Sequence, residues 1–287
     1  MKNRENTKGK AVMVIARVFS YLVLGFLALL CLFSFYMLII NATRSNAQLQ
    51  AGFTLLPKNN FFVNLVNAWN DQSINIPRGM LNSFFIAACS SVLTTYFSAL
   101  TAYGIHVYRF RLRKAAFLFI MAVMMIPPQV SSVGFIQLVY KFHLTNNYIP
   151  LIIPSIAAPV VFFYMKQYLE SVLPMEMVEA ARVDGSGEFR TFNTIVLPIM
   201  KPAIAVQMIF SFVSSWNNYF IPALLLDKAE MKTVPIMVAQ LRSADYSKFD
   251  MGKVYMFILL AILPVLVVYI FLSKSIIKGV TAGSVKG

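Results

Sequence analysis

Residues 174–198 read PMEMVEAARVDGSGEFRTFNTIVLP, a polar stretch set between long apolar runs. Pro174 suits the first turn of a helix, where a missing N–H costs nothing. Met175, Val178, Ala181 and Arg182 then share one helix face, and Glu176, Glu179 and Ala180 another. Gly185 comes just past the natural end, where a left-handed cap needs no Cβ. Ser186 is placed to cap a second short helix through Phe189, Phe192 and Ile195. Pro198 stops that helix, and Pro202 admits the next apolar run at its first turn. The stretch is expected to form a helix–turn–helix elbow lying at a membrane surface.

The flanks explain why a membrane is invoked. Hydrophobic residues make up 59% of the 287, charged residues only 13%, and the mean hydropathy is +0.69. So few charges cannot solvate a globule of this size. Charge-free runs fall at about 18–40, 79–105, 115–140, 144–165, 202–226 and 254–273, each long enough to cross a bilayer. The expected fold class is an all-α membrane protein of six transmembrane helices, with the elbow between the fourth and fifth. A cytoplasmic N-terminus puts most of the 25 Lys and Arg inside, including Arg109, Arg111, Arg113 and Lys114 in one short loop. Both termini and the elbow are then cytoplasmic. The N-terminal run reads as a retained first helix rather than a cleaved signal.

A net charge of +14 raises nucleic acid as a partner, but the basic residues cluster beside hydrophobic ends, a mark of topology. Cys31 and Cys89 sit inside apolar runs and read as small core residues, not a disulfide. His106 and His143 are too far apart in sequence to support a metal site. No nucleophile–base constellation is visible, and no G-x-x-x-x-G-K-[ST] loop occurs to cradle a nucleotide, so no enzyme activity is expected. The six runs hold no Asp, Glu, Lys or Arg, which disfavours an ion-coupled carrier. Pro127-Pro128 marks a bend, and Gln129, Gln137 and Tyr140 after it are candidates to line a pathway. Trp216, Asn217, Asn218 and Tyr219 are further candidates, because they set neutral hydrogen-bonding groups beside aromatic faces within one turn.

Glu179-Ala180-Ala181, Gly185 and Ile195-Val196-Leu197-Pro198, at these offsets, resemble the EAA loop of permease subunits from bacterial binding-protein-dependent ABC importers. Asp184-Gly185, the run Ser215–Phe220 with Pro222, and the tail Gly279–Gly287 resemble the carbohydrate branch, the tail in particular the maltose-type second permease. The likeness covers residue 80 to the C-terminus. Ser186-Gly187 stands where that family usually has Ala-Ser, and Phe142-His143-Leu144 replaces a more typical Gly-Leu.

The resemblance implies a multi-pass subunit of the bacterial cell membrane that translocates a carbohydrate, an oligosaccharide by its branch. It implies a second homologous permease, two ATPase subunits that bind ATP and Mg²⁺, and an extracytoplasmic solute-binding protein as partners. The cofactor expectation for this chain itself is none. Glu179, Ala180, Ala181, Asp184, Gly185, Ile195, Leu197 and Pro198 would couple it to an ATPase. The implied organisation is a cytoplasmic tail at 1–17, a first span at 18–40, an outer loop at 41–78, a permease core at 79–277 with its coupling loop at 170–198, and a tail at 278–287. A neutral non-sugar solute, a secondary carrier and a membrane scaffold stand as alternatives.

Overall fold

The structure, a computed structural model, describes residues 2–243 and 250–284. Val285, Lys286 and Gly287 of the tail motif, and residues 244–249, lie outside the described residues. Among those described, the regular structure is helical, with no strand. The helices are α1 (Lys2–Ala42), α2 (Asn46–Gln50), α3 (Phe61–Trp69), α4 (Ile76–Val107) and α5 (Arg113–Met124). There follow α6 (Pro128–Lys141), α7 (Ile149–Ile152), α8 (Pro159–Val172), α9 (Met175–Val183) and α10 (Glu188–Thr191). Last come α11 (Leu197–Ile199), α12 (Lys201–Trp216), α13 (Phe220–Leu225), α14 (Val234–Ser243) and α15 (Met251–Ser284).

The chain divides into two compact units. The first comprises Met1–Asn70 and Ala244–Leu260. Its α1 is apolar from Met13 onward and exposed along most of that length, as a helix meant for lipid or another chain must be. The loop beyond it holds helices rather than irregular chain. Ser45 closes a capping box with Gln48 at the start of α2. Buried Arg44 donates to Asn41 Oδ1 and to the carbonyls of Gln48 and Gly52, while Asn64 Nδ2 donates to the carbonyls of Ala42 and Arg44, both at 2.8 Å. Gly252 fits there because a Cβ would strike the Arg44 carbonyl and the Asn64 amide.

The second unit, Asp71–Ser243 and Ala261–Gly287, is built around α4. Ser83, Ala87, Ser90, Ser91, Thr94, Thr95, Ser98 and Ala102 are buried along it, small side chains that let α8 and α12 approach closely. Their hydroxyls also repair backbone. Pro159 has no N–H for the Ser155 carbonyl, and Thr94 Oγ1 donates to that carbonyl instead at 2.8 Å.

Among the described residues, four stretches are long and apolar enough to cross a membrane unbroken: Met13–Ala42, Ile76–Val107, Ile149–Val172 and Met251–Phe271. The count reaches six only if two bent pairs are each taken as one span. The 115–140 run is not one helix; α5 and α6 meet at 94° across Pro127-Pro128. The 202–226 run ends as α12 at Trp216, turns at 217–219 and resumes as α13. Cys31 is exposed rather than in a core, and Cys89 is half-buried.

One core of this unit lies under the elbow. Phe162, Met165 and Leu169 of α8 pack with Val178, Phe192, Val196 and Met200 against Ala99, Ala102 and Tyr103 of α4. Burying side chains of this size stabilises by about 1.5–3 kcal/mol each. A second core joins Ala87, Phe212, Trp216 and Val234.

Candidate functional site

The elbow begins at Pro174, which serves as N-cap of α9. Val178 and Ala181 turn into the core, and Met175 packs beside it. Glu179, Ala180, Asp184 and Gly185 are exposed on the other side. Gly185 has φ +76°, and the turn closes through Gly185 N–H to the Arg182 carbonyl and Ser186 N–H to the Ala181 carbonyl. This paired-bond ending demands a left-handed residue at that place.

Ser186 does not cap the second arm. The N-cap of α10 is Gly187, without a side-chain bond, and Ser186 Oγ instead accepts from Thr191 Oγ1 at 2.9 Å. Nor does Pro198 end this arm. The chain widens into a π turn over Phe192–Val196, continues as α11 through Pro198, and breaks at Met200 with an 81° bend into α12. A proline ring clashes with the carbonyl four residues back, and a π turn at that point opens the room it needs. Ile195 and Leu197 are half-buried and Pro198 is exposed.

The two arms are tied by charge. Arg182 Nε donates to Glu188 Oε1 at 2.6 Å, and the Tyr103 hydroxyl of α4 donates to Glu188 Oε2 at 2.9 Å. The Arg182 guanidinium beside it holds the Glu188 carboxyl below its usual range. Higher on the same arm, the Tyr96 hydroxyl donates to Asn193 Oδ1 at 3.2 Å. Two apolar side chains stand out into solvent: Val183 is 87% exposed and Phe189 68%.

Away from the elbow, a groove of about 970 Å³ opens between α4, the segment 151–164 and α12. Ser90, Thr94, Ser155, Tyr164, Gln207, Ser211, Ser214, Ser215 and Asn218 line it, with no charged residue in its wall. Gln207 is only 8% exposed and its amide has no protein partner among the described residues. Gln207 lines the groove, where its amide gains a partner from any hydroxyl brought to it. The groove can hold a neutral, hydroxyl-rich molecule and offers nothing to grip an ion.

Of the seven pathway candidates, Asn218 lines this groove. Trp216 is buried instead, stacked on Phe212 with ring centroids 5.9 Å apart. Asn217 and Tyr219 are exposed beyond the end of α12, and Gln129 and Gln137 are exposed on α6. Tyr140 donates its hydroxyl to the Leu224 carbonyl at 3.0 Å. The groove's other polar residues were not named as pathway candidates from the sequence, yet a signal exists. Gln207, Ser211, Ser214, Ser215 and Asn218 recur at helical spacing within an apolar run, a polar stripe on one face.

Residues 94–276 match the family described as binding-protein-dependent transport system inner membrane component. The chain is 35% identical over 267 residues to the arabinooligosaccharides transport system permease protein AraQ of Bacillus subtilis (strain 168), covering 91% of this chain and 92% of that one. It is 30% identical over 269 residues to the lactose transport system permease protein LacG of Rhizobium radiobacter, covering 94% and 96%. It is also 30% identical over 267 residues to the sn-glycerol-3-phosphate transport system permease protein UgpE of Yersinia pestis, covering 91% and 95%. In three dimensions it superposes on a chain from the crystal structure of a bacterial ABC transporter involved in the import of the acidic polysaccharide alginate. The TM-score is 0.79 at 22% identity, over 91% of this chain and 96% of that one, a likeness of fold. With the family covering most of its length and relatives named as sugar transport permeases, this chain belongs to the inner membrane components of binding-protein-dependent ABC transport systems.

Proposed function

We propose that this chain is one of two homologous permeases in an ATP-driven oligosaccharide importer, its six apolar runs forming six crossings with both termini in the cytoplasm. Residues 1–17 and 278–287 are inner tails, 18–40 the first crossing, 41–78 an outer cap, and 79–277 the moving core. The elbow within 170–198 docks on one of two partner ATPases, which hold the ATP and Mg²⁺. An external binding protein delivers the sugar. As the ATPases close, the elbows shift and the groove changes the side to which it opens.

The observation that carries the coupling role is the two-sided build of α9. Val178 and Ala181 are locked into the inner core, while Glu179, Ala180, Asp184 and Gly185 stay bare beside the apolar knob of Val183. An exposed apolar residue on a rigid, small-residue face fits a partner's pocket. Support for the solute class comes from the uncharged hydroxyl-lined groove and from relatives named for arabinooligosaccharides, lactose, and melibiose, raffinose and stachyose. The glycerol-phosphate relative keeps a second class in view. A phosphate ester needs a cation beside it, and the groove lining has no Lys, Arg or His.

Purification from native membranes is expected to bring down a second permease and an ATPase, and sugar uptake into vesicles is expected to stop with vanadate. Gln207→Leu is expected to lower that uptake roughly tenfold, the cost of one lost hydrogen bond to a bound hydroxyl. Vanadate-resistant uptake, or uptake by this chain alone, overturns the assignment.

A further inference from the structure

We propose that Glu188 is a latch that fastens the elbow to α4, so that an elbow displaced by its partner carries the groove wall with it. Three elements share this one carboxylate. Arg182, at the end of α9, donates to one oxygen at 2.6 Å, Tyr103 of α4 donates to the other at 2.9 Å, and Glu188 itself opens α10. Tyr103 is 2% exposed, its ring held between Phe192 at 5.5 Å and Tyr108 at 6.1 Å, so its hydroxyl has little freedom to point elsewhere. The Arg182 guanidinium lies over the Tyr108 ring, 5.9 Å from its centroid.

The apolar contacts beneath the elbow cannot do this work alone. Dispersion is non-directional, and packed side chains slide past one another by a fraction of an ångström at small cost. A charge-assisted hydrogen bond weakens steeply once its angle or length changes. The latch therefore resists shear where the core resists separation. It also reaches the correct helix: Thr94, which lines the groove, stands nine residues from Tyr103, about 14 Å along α4. A rigid helix fixed at one end by a stiff polar contact transmits displacement to the other.

The latch rests on the coupling role proposed above, and the experiment separates the two. In the complete transporter reconstituted in vesicles, sugar moved per ATP hydrolysed is measured for Tyr103→Phe, which deletes one hydroxyl and keeps the ring's packing. The ratio is expected to fall about tenfold while hydrolysis continues and the melting temperature stays close to wild type. Arg182→Lys, which keeps the charge without the planar fork, is expected to fall between the two. Gly185→Val serves as the control on coupling itself. A normal ratio in Tyr103→Phe beside an uncoupled Gly185→Val removes the latch and leaves the coupling elbow standing. A normal ratio in Gly185→Val removes the elbow assignment, and with it the latch. Loss of melting temperature in proportion to lost transport in Tyr103→Phe makes Glu188 a mere staple and also overturns the proposal.

Discussion

Gly185 and His143 each close a helix end with a left-handed residue, and the two are chemically unlike. Gly185 follows α9 at φ +76°, and His143 follows α6 at φ +53°. Both make the same pair of closing bonds; at α6 these run from His143 N–H to the Tyr140 carbonyl and from Leu144 N–H to the Val139 carbonyl. An L side chain held there costs about 1–2 kcal/mol, and glycine is free of it. His143→Gly is therefore expected to raise the apparent melting temperature by roughly 2–4 °C per kcal/mol recovered, less what glycine's extra chain entropy takes back. Uptake should be unchanged; a fall in melting temperature refutes the strain. The identity of Gly185 announced its conformation in advance. His143 gave no such sign, because nothing in its side chain marks a left-handed position. The Arg182–Glu188 pair was equally hidden, since the two residues lie six apart across a turn and match no helical spacing.

At the scale of the element, the second arm of the elbow owes its course to two prolines. Pro198 sits inside a helix that widens just before it, and Pro202 deprives the Pro198 carbonyl of its donor at the 81° bend. Pro198→Ala removes the reason for the widened turn. The five residues Phe192–Val196 are then expected to tighten toward ordinary helix, rotating the arm against α12. Uptake should drop several-fold while the subunit still inserts and assembles; a variant with wild-type uptake shows that the π turn is not needed. The apolar runs and the elbow's first arm were legible because periodicity and proline placement are local properties. The bend at Pro127-Pro128 was legible for the same reason, whereas the break at 217–219 and the passage of the helix through Pro198 were not. They depend on whether neighbouring groups donate to the freed carbonyls, as Thr94 does to that of Ser155. Trp216 misled for a related reason. A tryptophan beside two asparagines suggests a binding turn, but the ring is claimed by Phe212 and a core of its own.

Across the whole molecule, apolar surface is spent outward. Leu22, Phe26, Leu29 and Phe33 of α1 are exposed, as are Phe119, Val130 and Phe210 of the second unit, a surface that water alone would not tolerate. Polar atoms are drawn inward, to the groove and to the buried hydroxyls of α4. The wall of that groove carries no formal charge. Moving one elementary charge through a membrane field costs about 2.3 kcal/mol per 100 mV, and a neutral wall around the neutral sugar proposed above feels almost none of it. Initial uptake rates in vesicles clamped at zero and at strongly negative potential should therefore agree, and a steep voltage dependence would mean that ions travel with the sugar. On the function proposed above, a cell whose membrane has run down electrically would still take in food through such a passage for as long as its nucleotide supply lasts.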